Sequence, residues 1–260
     1  MSAQSAARGP FIKRAPLAMR ALFEAEAAGL AELRQAAALR VPETIEVGVA
    51  GDEAFIALEW LDLVPPDATS EERLGEGLAW LHRIRGPAFG YAANNFIGAT
   101  PQANTESGDW LTFWRERRLL PQFELAAANG YGGRLQDRGR RLIEVMDVFF
   151  ATYRPAASLL HGDLWSGNRG ALAGGTPVIF DPAVYYGDRE ADLAMTTLFG
   201  SFGPRFYSAY AATWPLDQAA GTRRALYNLY HVLNHLNLFG GSYGDKAEGL
   251  IDRLLAAAGH

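Results

Sequence analysis

The chain has 260 residues, of which 49 % are apolar and 20 % charged, with a formal net charge of −5 and no cysteine. Such a length and composition suit a globular protein with a sizeable core. The acidic balance excludes a broad basic surface for nucleic acid. The lack of cysteine excludes disulfides and thiolate metal sites and fits a reducing cytoplasm, and no apolar run reaches the ~18 residues of a membrane span.

Residues 1–10 are rich in Ala and Ser, lack the apolar stretch of a signal peptide, and read as a loosely held end. Phe11-Ile12-Lys13 reads as a strand end carrying a lysine. The Ala- and Leu-rich stretch 17–39 predicts an amphipathic helix, closed by Pro42. Two β-type runs, 44–49 and 54–58, flank Ala50-Gly51-Asp52 and predict a hairpin. After residues 59–64, Pro65-Pro66 breaks the chain, which sets a boundary between a small lobe, 1–64, and a larger helical lobe, 65–260. A helix is expected from Ser70 to about Arg85. Residues 86–108 form a long loop rich in Gly, Asn and Pro, and loops longer than about 12–15 residues are commonly functional. Helices over 110–128 and 134–153 follow, then short strands at 158–160 and 178–180. The remainder is expected to be helical, over 190–199, 206–212, 218–239 and from 244 to the end. The pattern is α+β, with a small sheet lobe carrying one helix and a large, mainly helical lobe.

The most informative stretch is His161-Gly162-Asp163-Leu164-Trp165-Ser166-Gly167-Asn168, followed thirteen residues after its Asn by Asp181-Pro182-Ala183. Phosphoryl transfer from MgATP needs an acid to receive a hydroxyl proton, an amide oxygen for Mg²⁺ and a second carboxylate for Mg²⁺. The kinase catalytic loop places these as Asp, an Asn five positions on, and a distal Asp. Asp163, Asn168 and Asp181 match that spacing, with Asp163 as the base and Asn168 and Asp181 as the metal pair. Lys13 is the candidate for the ATP α/β-phosphates. Glu26 is its preferred partner, by its distance from Leu30 and Leu33, with Glu24 as the rival. Glu59-Trp60-Leu61, just before the lobe boundary, sits where a kinase hinge offers the backbone of Glu59 and Leu61 to adenine. His161 is expected to shape the loop by hydrogen bonding. Asp192 is a candidate either to brace the loop's N–H groups or to stabilise its own helix. His231 and His235 stand four apart on one helix, but Val232 replaces the Glu of a zinc-protease motif, so they are expected to be core histidines.

At these residues the chain resembles the fructosamine/ketosamine kinase family, within the aminoglycoside-phosphotransferase-like branch of the protein-kinase-like fold. The resemblance rests on the loop from His161 to Asn168 and on Val178-Ile179-Phe180-Asp181-Pro182-Ala183. It is supported by Asn94-Asn95-Phe96-Ile97-Gly98, by Asp109-Trp110 with Phe113-Trp114, and by Leu233-Asn234-His235. It implies ATP- and Mg²⁺-dependent phosphorylation of the sugar 3-hydroxyl of ribulosamines or fructosamines, either small or protein-borne, as a deglycation step. It also implies that Trp165 contacts the substrate. Members of the family begin with a further strand pair whose Gly-rich loop covers the ATP phosphates. The ten residues before Phe11 hold no such pattern, so that flap is expected to be missing, and both monomer and homodimer stay open. The alternatives are a kinase for an aminoglycoside, choline or similar amino alcohol, and a non-catalytic pseudokinase.

Overall fold

The computed structural model describes residues 8–260. The expectation for the N-terminal end therefore falls mostly on positions 1–7, outside the described residues. β1 (Phe11–Pro16) leads through a short turn into α1 (Arg20–Gln35). β2 (Thr44–Ala50) and β3 (Glu53–Leu58) form the expected hairpin, with Gly51 supplying the positive φ of its turn. The three strands make an antiparallel sheet in the order β1-β3-β2, which sets Lys13 opposite Ile56. α1 buries Phe23, Glu26, Leu30 and Leu33, a single helical face. That helix ends four residues before the predicted Leu39. Ala37 takes a left-handed conformation (φ 50°), which turns Leu39 toward Gly77 and lets Arg40 bridge Val178.

Gly29 sets how closely α1 approaches the rest of the molecule. A Cβ there would stand 2.6 Å from Val184 Cγ2 and 3.1 Å from Pro182 Cγ. Real side chains do not pack that closely, so the glycine lets the helix rest directly on the segment that follows Asp181.

α2 (Ala68–Leu81) begins before Ser70 because Asp67 is its N-cap. The Asp67 carboxylate accepts the Ser70 N–H at 2.7 Å, and Ser70 Oγ accepts the Asp67 N–H at 2.8 Å. The helix stops at Leu81 because the next residues pair with the strand before the catalytic loop: Leu159 N–H donates to the Ile84 carbonyl and Gly86 N–H to the Ala157 carbonyl. Residues 86–108 are not a plain loop, since they contain a hairpin of β4 (Asn95–Ile97) and β5 (Thr100–Gln102). α3 (Trp110–Trp114) runs through one wide turn, Arg115–Leu119, into α4 (Leu120–Ala128). α5 (Arg134–Val145) gives way to a tighter turn, Met146–Phe150, short of the predicted Tyr153.

Four short strands then carry the site. β6 (Ser158–Leu160) pairs with β9 (Tyr185–Gly187), and β7 (Arg169–Leu172) with β8 (Thr176–Ile179). β8 ends at Ile179, so the expected strand residue Phe180 already belongs to the loop. Helices α6 (Glu190–Met195), α7 (Pro204–Thr213), α8 (Ala220–Phe239) and α9 (Tyr243–Ala257) complete the chain. α6 stops short of the predicted Phe199, and the chain turns at Gly200 (φ 77°).

Two apolar clusters hold these elements. One gathers Leu30, Ile56 and Leu58 with Leu74, Leu78, Ile179, Val184 and Phe206, so it runs across the expected boundary near residue 64. The other packs Trp110, Phe113 and Trp114 against Tyr227 and Tyr230 of α8. Among the described residues no helix is long and apolar enough to cross a membrane.

Candidate active site

The spacing from Asp163 to Asn168 to Asp181 has a local cause. β6 delivers the chain to His161. Gly162 (φ 83°) then passes so close to the neighbouring loop that a Cβ would stand 2.0 Å from the Ala183 carbonyl oxygen. No other residue fits there. Asn168 closes a short helical turn, and the β7–β8 hairpin carries the chain out and back. Phe180 N–H donates to the Asn168 carbonyl at 3.1 Å, which sets Asn168 and Asp181 side by side at the open end of that hairpin. Asp181 itself is a non-glycine residue with φ 56°, a strained backbone of the kind that tends to cluster at functional sites.

His161 and Asp192 brace this loop. His161 Nε2 bonds the Phe180 carbonyl at 3.0 Å, and the His161 carbonyl accepts the Ala183 N–H at 2.9 Å. The buried Asp192 carboxylate accepts the N–H groups of His161 (2.7 Å) and Gly162 (2.8 Å) and also contacts His82 Nε2 at 3.1 Å. His82 Nδ1 in turn meets Tyr210 Oη at 2.9 Å. Burial alone would raise the Asp192 pKa, but His82, His161 and the Gly162 N–H together hold it below the usual range. Nothing local to the sequence marked His82 as the third member of this brace.

Lys13 reaches the loop from β1. Its Nζ lies 2.7 Å from Glu26 Oε1 and also contacts Asp181 Oδ1. Glu24, the rival partner, pairs with Arg20 on the exposed side of α1. Burial disfavours the Lys13 charge, yet Asp181 and Glu26 outweigh it and raise its pKa. Glu26 is pushed up to about 7 by burial, against the pull of Lys13. Asp163 is likewise raised to about 7, first by burial and then by the negative charge of Asp181.

The Asn168 side chain is oriented by its amide nitrogen, which donates to the Asp163 carbonyl (2.9 Å), to Asp163 Oδ2 (3.2 Å) and to the Asp181 carbonyl (3.3 Å). Its amide oxygen has no protein partner among the described residues. That leaves one amide oxygen and the Asp181 carboxylate as hard oxygen donors at the same place, a set that fits Mg²⁺, which takes one or two protein ligands and completes its shell from phosphates and water. No cluster of three His, Cys, Asp or Glu side chains capable of holding a metal by itself occurs among the described residues. His235 Nδ1 lies 2.9 Å from the His231 carbonyl one turn before it; His231 is buried in the core as expected, and His235 is half-buried beside it.

Two cavities meet at the Lys13–Asp181 contact. One, of about 460 Å³, is lined by Phe11, Leu58, Glu59, Trp60, Leu61 and Val64 together with Lys13 and Asp181. The Glu59 carboxylate is engaged by Arg40 and by the Glu43 N–H. The Glu59 carbonyl and the Leu61 N–H, by contrast, have no backbone partner among the described residues. The other cavity, of about 470 Å³, is lined by Lys13, Glu26, Asp163, Trp165, Asn168 and Asp181, with Asn95 and Phe96 opposite. Trp165 lies across Gly167 and stands edge-on to Phe199, so part of its surface packs the loop and part lines the cavity. The Asn95–Gln102 pair, missed as a structural unit in the sequence, ties β4–β5 to the site: Asn95 Nδ2 donates to the Val184 carbonyl at 2.8 Å, and Gln102 Nε2 to Asn95 Oδ1 at 2.8 Å.

A family model described as fructosamine kinase matches residues 2–257. The chain belongs to the fructosamine kinase family. It is 42 % identical over 235 residues to a Synechocystis protein named "Probable ketoamine kinase", an alignment covering 90 % of this chain and 79 % of that one. It is 40 % identical over 238 residues to the chloroplastic protein-ribulosamine 3-kinase of Arabidopsis thaliana, covering 90 % and 72 % of the two chains. A crystal structure from Haemophilus somnus, solved as a candidate fructosamine-3-kinase, superposes with a TM-score of 0.86 at 29 % identity, over 94 % of this chain and 83 % of the other. Choline and aminoglycoside kinases, at 11–14 % identity, share the fold. This fructosamine kinase family member is therefore a phosphotransferase with the two-sided, sheet-and-helix architecture expected from its sequence, and ATP is the phosphoryl donor its family implies.

Proposed function

We propose that the chain transfers the γ-phosphoryl group of ATP to the sugar 3-hydroxyl of a ketosamine, either small or protein-borne. The observation that carries this reading is that Lys13, Glu26, Asp163, Asn168 and Asp181 converge where two cavities meet, in a member of the fructosamine kinase family.

In this reading the nucleotide occupies the cavity beside Glu59 and Leu61, with adenine on the Glu59 carbonyl and the Leu61 N–H. Glu26 holds Lys13 toward the α/β-phosphates. Asn168 and Asp181 would hold Mg²⁺, which when bound neutralises charge on the phosphates. The acceptor sugar lies in the second cavity against Trp165, whose indole face suits C–H groups or a cationic amine. Asp163 orients the acceptor hydroxyl. The oxygen–phosphorus bond forms as the bridging bond to the γ-phosphorus breaks, ADP leaves, and the hydroxyl proton passes to the Asp163 carboxylate. A base poised near neutrality suits that role, because a large share of it is ionised at working pH and it is still basic enough to take a proton.

The test is ADP release from ATP and Mg²⁺ with and without ribulosyl-lysine, with Asp163→Asn as the blank. Substrate-dependent turnover that vanishes in the variant supports the reading. A folded protein that binds ATP but turns over choline or an aminoglycoside instead of the ketosamine refutes it.

A further inference from the structure

At the end of β6 remote from the catalytic loop, arginines gather around one indole. The guanidinium carbon of Arg189 lies 3.8 Å from the centre of the Trp214 ring, that of Arg85 4.8 Å and that of Arg83 5.6 Å. Arg85, Arg154 and Arg189 line a cavity of about 200 Å³ with Tyr153, Ser158 and Trp214.

The guanidinium groups here bond neutral acceptors, and the Asp109 carboxylate acts on Arg154 only from beyond ion-pair distance. Arg189 is only 7 % exposed. Its N–H groups donate to neutral oxygens: Tyr210 Oη (3.3 Å) and the carbonyls of Trp214 (2.8 Å) and Pro215 (2.6 Å). Arg85 donates to Ser158 Oγ at 2.8 Å, and Arg154 to the carbonyls of Phe150 and Tyr153. Among the described residues no carboxylate forms an ion pair with Arg83, Arg85, Arg154 or Arg189. Asp188 also borders the cavity, but its oxygens accept from the Tyr153 and Tyr227 hydroxyls and the Glu190 N–H, which turns them into the protein.

A buried cation without a counter-charge is costly, and a ring face returns only about 0.5–2 kcal/mol per contact. The Arg85 guanidinium registers the crowding: burial first, and then Arg189, hold its pKa below the usual range. Guanidinium groups present paired N–H donors that match the oxygens of phosphate. The cavity is smaller than the ~300 Å³ at which pockets begin to hold drug-sized ligands.

We propose that Arg85, Arg154 and Arg189 form a binding site for a small phosphate-class oxyanion, separate from the catalytic cleft. Free inorganic phosphate and the phosphate of a small monoester share this chemistry.

The test is calorimetric titration of the full chain with inorganic phosphate and, separately, with glycerol 3-phosphate, at constant ionic strength in chloride. Arg85→Gln and Arg85→Lys are the site variants, and both change an exposed side chain. Lys13→Met removes phosphate binding in the nucleotide cleft. The expected result is one site retained in Lys13→Met. Arg85→Gln should weaken it by about tenfold or more, and Arg85→Lys, which keeps charge but loses the fork, by less. Tighter binding of the ester would make a phosphorylated metabolite the ligand, and tighter binding of inorganic phosphate the free ion; either supports the site. No saturable binding to the wild-type chain, or binding that survives Arg85→Gln, would overturn it.

Discussion

Replacing Asp192 tests how the catalytic loop is held. Its carboxylate is 1 % exposed and serves three buried donors: the N–H groups of His161 and Gly162 and the His82 ring. Asp192→Ala deprives all three of their acceptor. A buried donor left unsatisfied costs about 1–3 kcal/mol, so the three together amount to roughly 3–6 kcal/mol once relief from burying a charge is allowed for. That is a large share of the ~5–15 kcal/mol stability of a typical domain. Asp192→Asn keeps one acceptor oxygen but turns an amide donor toward a donor, so it should cost about half as much. Urea unfolding reads the stability as a shift in midpoint. Steady-state kinetics should show kcat down by about tenfold or more, because Asp163 hangs from this backbone, while the ATP dissociation constant holds, because Lys13, Glu59 and Leu61 lie on other elements. An Asp192→Ala protein with an unchanged urea midpoint and unchanged kcat would refute the claim that this carboxylate braces the loop.

Four further outcomes are expected. Burial pushes Asp163 and Glu26 both up to about 7 in the folded chain, far above their unfolded values. The stability they contribute is therefore fully present below about pH 4 and lost as pH rises through about 7, and Asp163→Asn should flatten the decline of urea midpoint between those limits. In the same range kcat/KM should climb as Asp163 ionises, and a flat rate profile from about pH 5.5 to 8.5 would count against Asp163 as the base. Glu26→Gln should lower kcat/KM for ATP by about 10- to 100-fold by freeing Lys13, whereas Glu24→Gln should leave it unchanged; equal effects would break the pairing seen between Lys13 and Glu26. Gly29→Ala brings a methyl to 2.6 Å from Val184 Cγ2, an overpacking cost of about 1–3 kcal/mol set against a helix-propensity gain of up to about 1 kcal/mol, so thermal unfolding should show a net loss and a gain would argue that α1 can shift.

The parts of the site legible in the sequence are those fixed by short-range spacing. Asp163 and Asn168 share one turn, and Glu26 stands four and seven positions before Leu30 and Leu33, the same helical face. What escaped reading depends on distant partners. β4, β5, β7 and β9 are three or four residues long, too short for a periodic pattern, and are made strands by the segments they meet. The end of α1 is hidden in a run of alanines that would continue a helix equally well; Gly77 and Val178, far along the chain, decide it. Asp67 is not marked in the sequence as the start of α2, because Ser70 is as good a cap by type and only the reciprocal bonds show which residue plays which part. The sequence does not separate a loop brace from a helix stabiliser at Asp192, since a carboxylate in a first helical turn has the same local sequence in both.

The close seat of Gly29 on Val184 makes that point a fulcrum for α1. Glu26 is three residues from it, an arm of about 4.5 Å, whereas Arg20 is nine residues away, about 13.5 Å. A rocking of the helix by about 10° displaces Arg20 by roughly 2.3 Å but Glu26 by less than about 1 Å. Any tilt of α1 about this seat is therefore felt most at its Arg20 end and least at the carboxylate that steadies Lys13, a lever with its short arm at the chemistry.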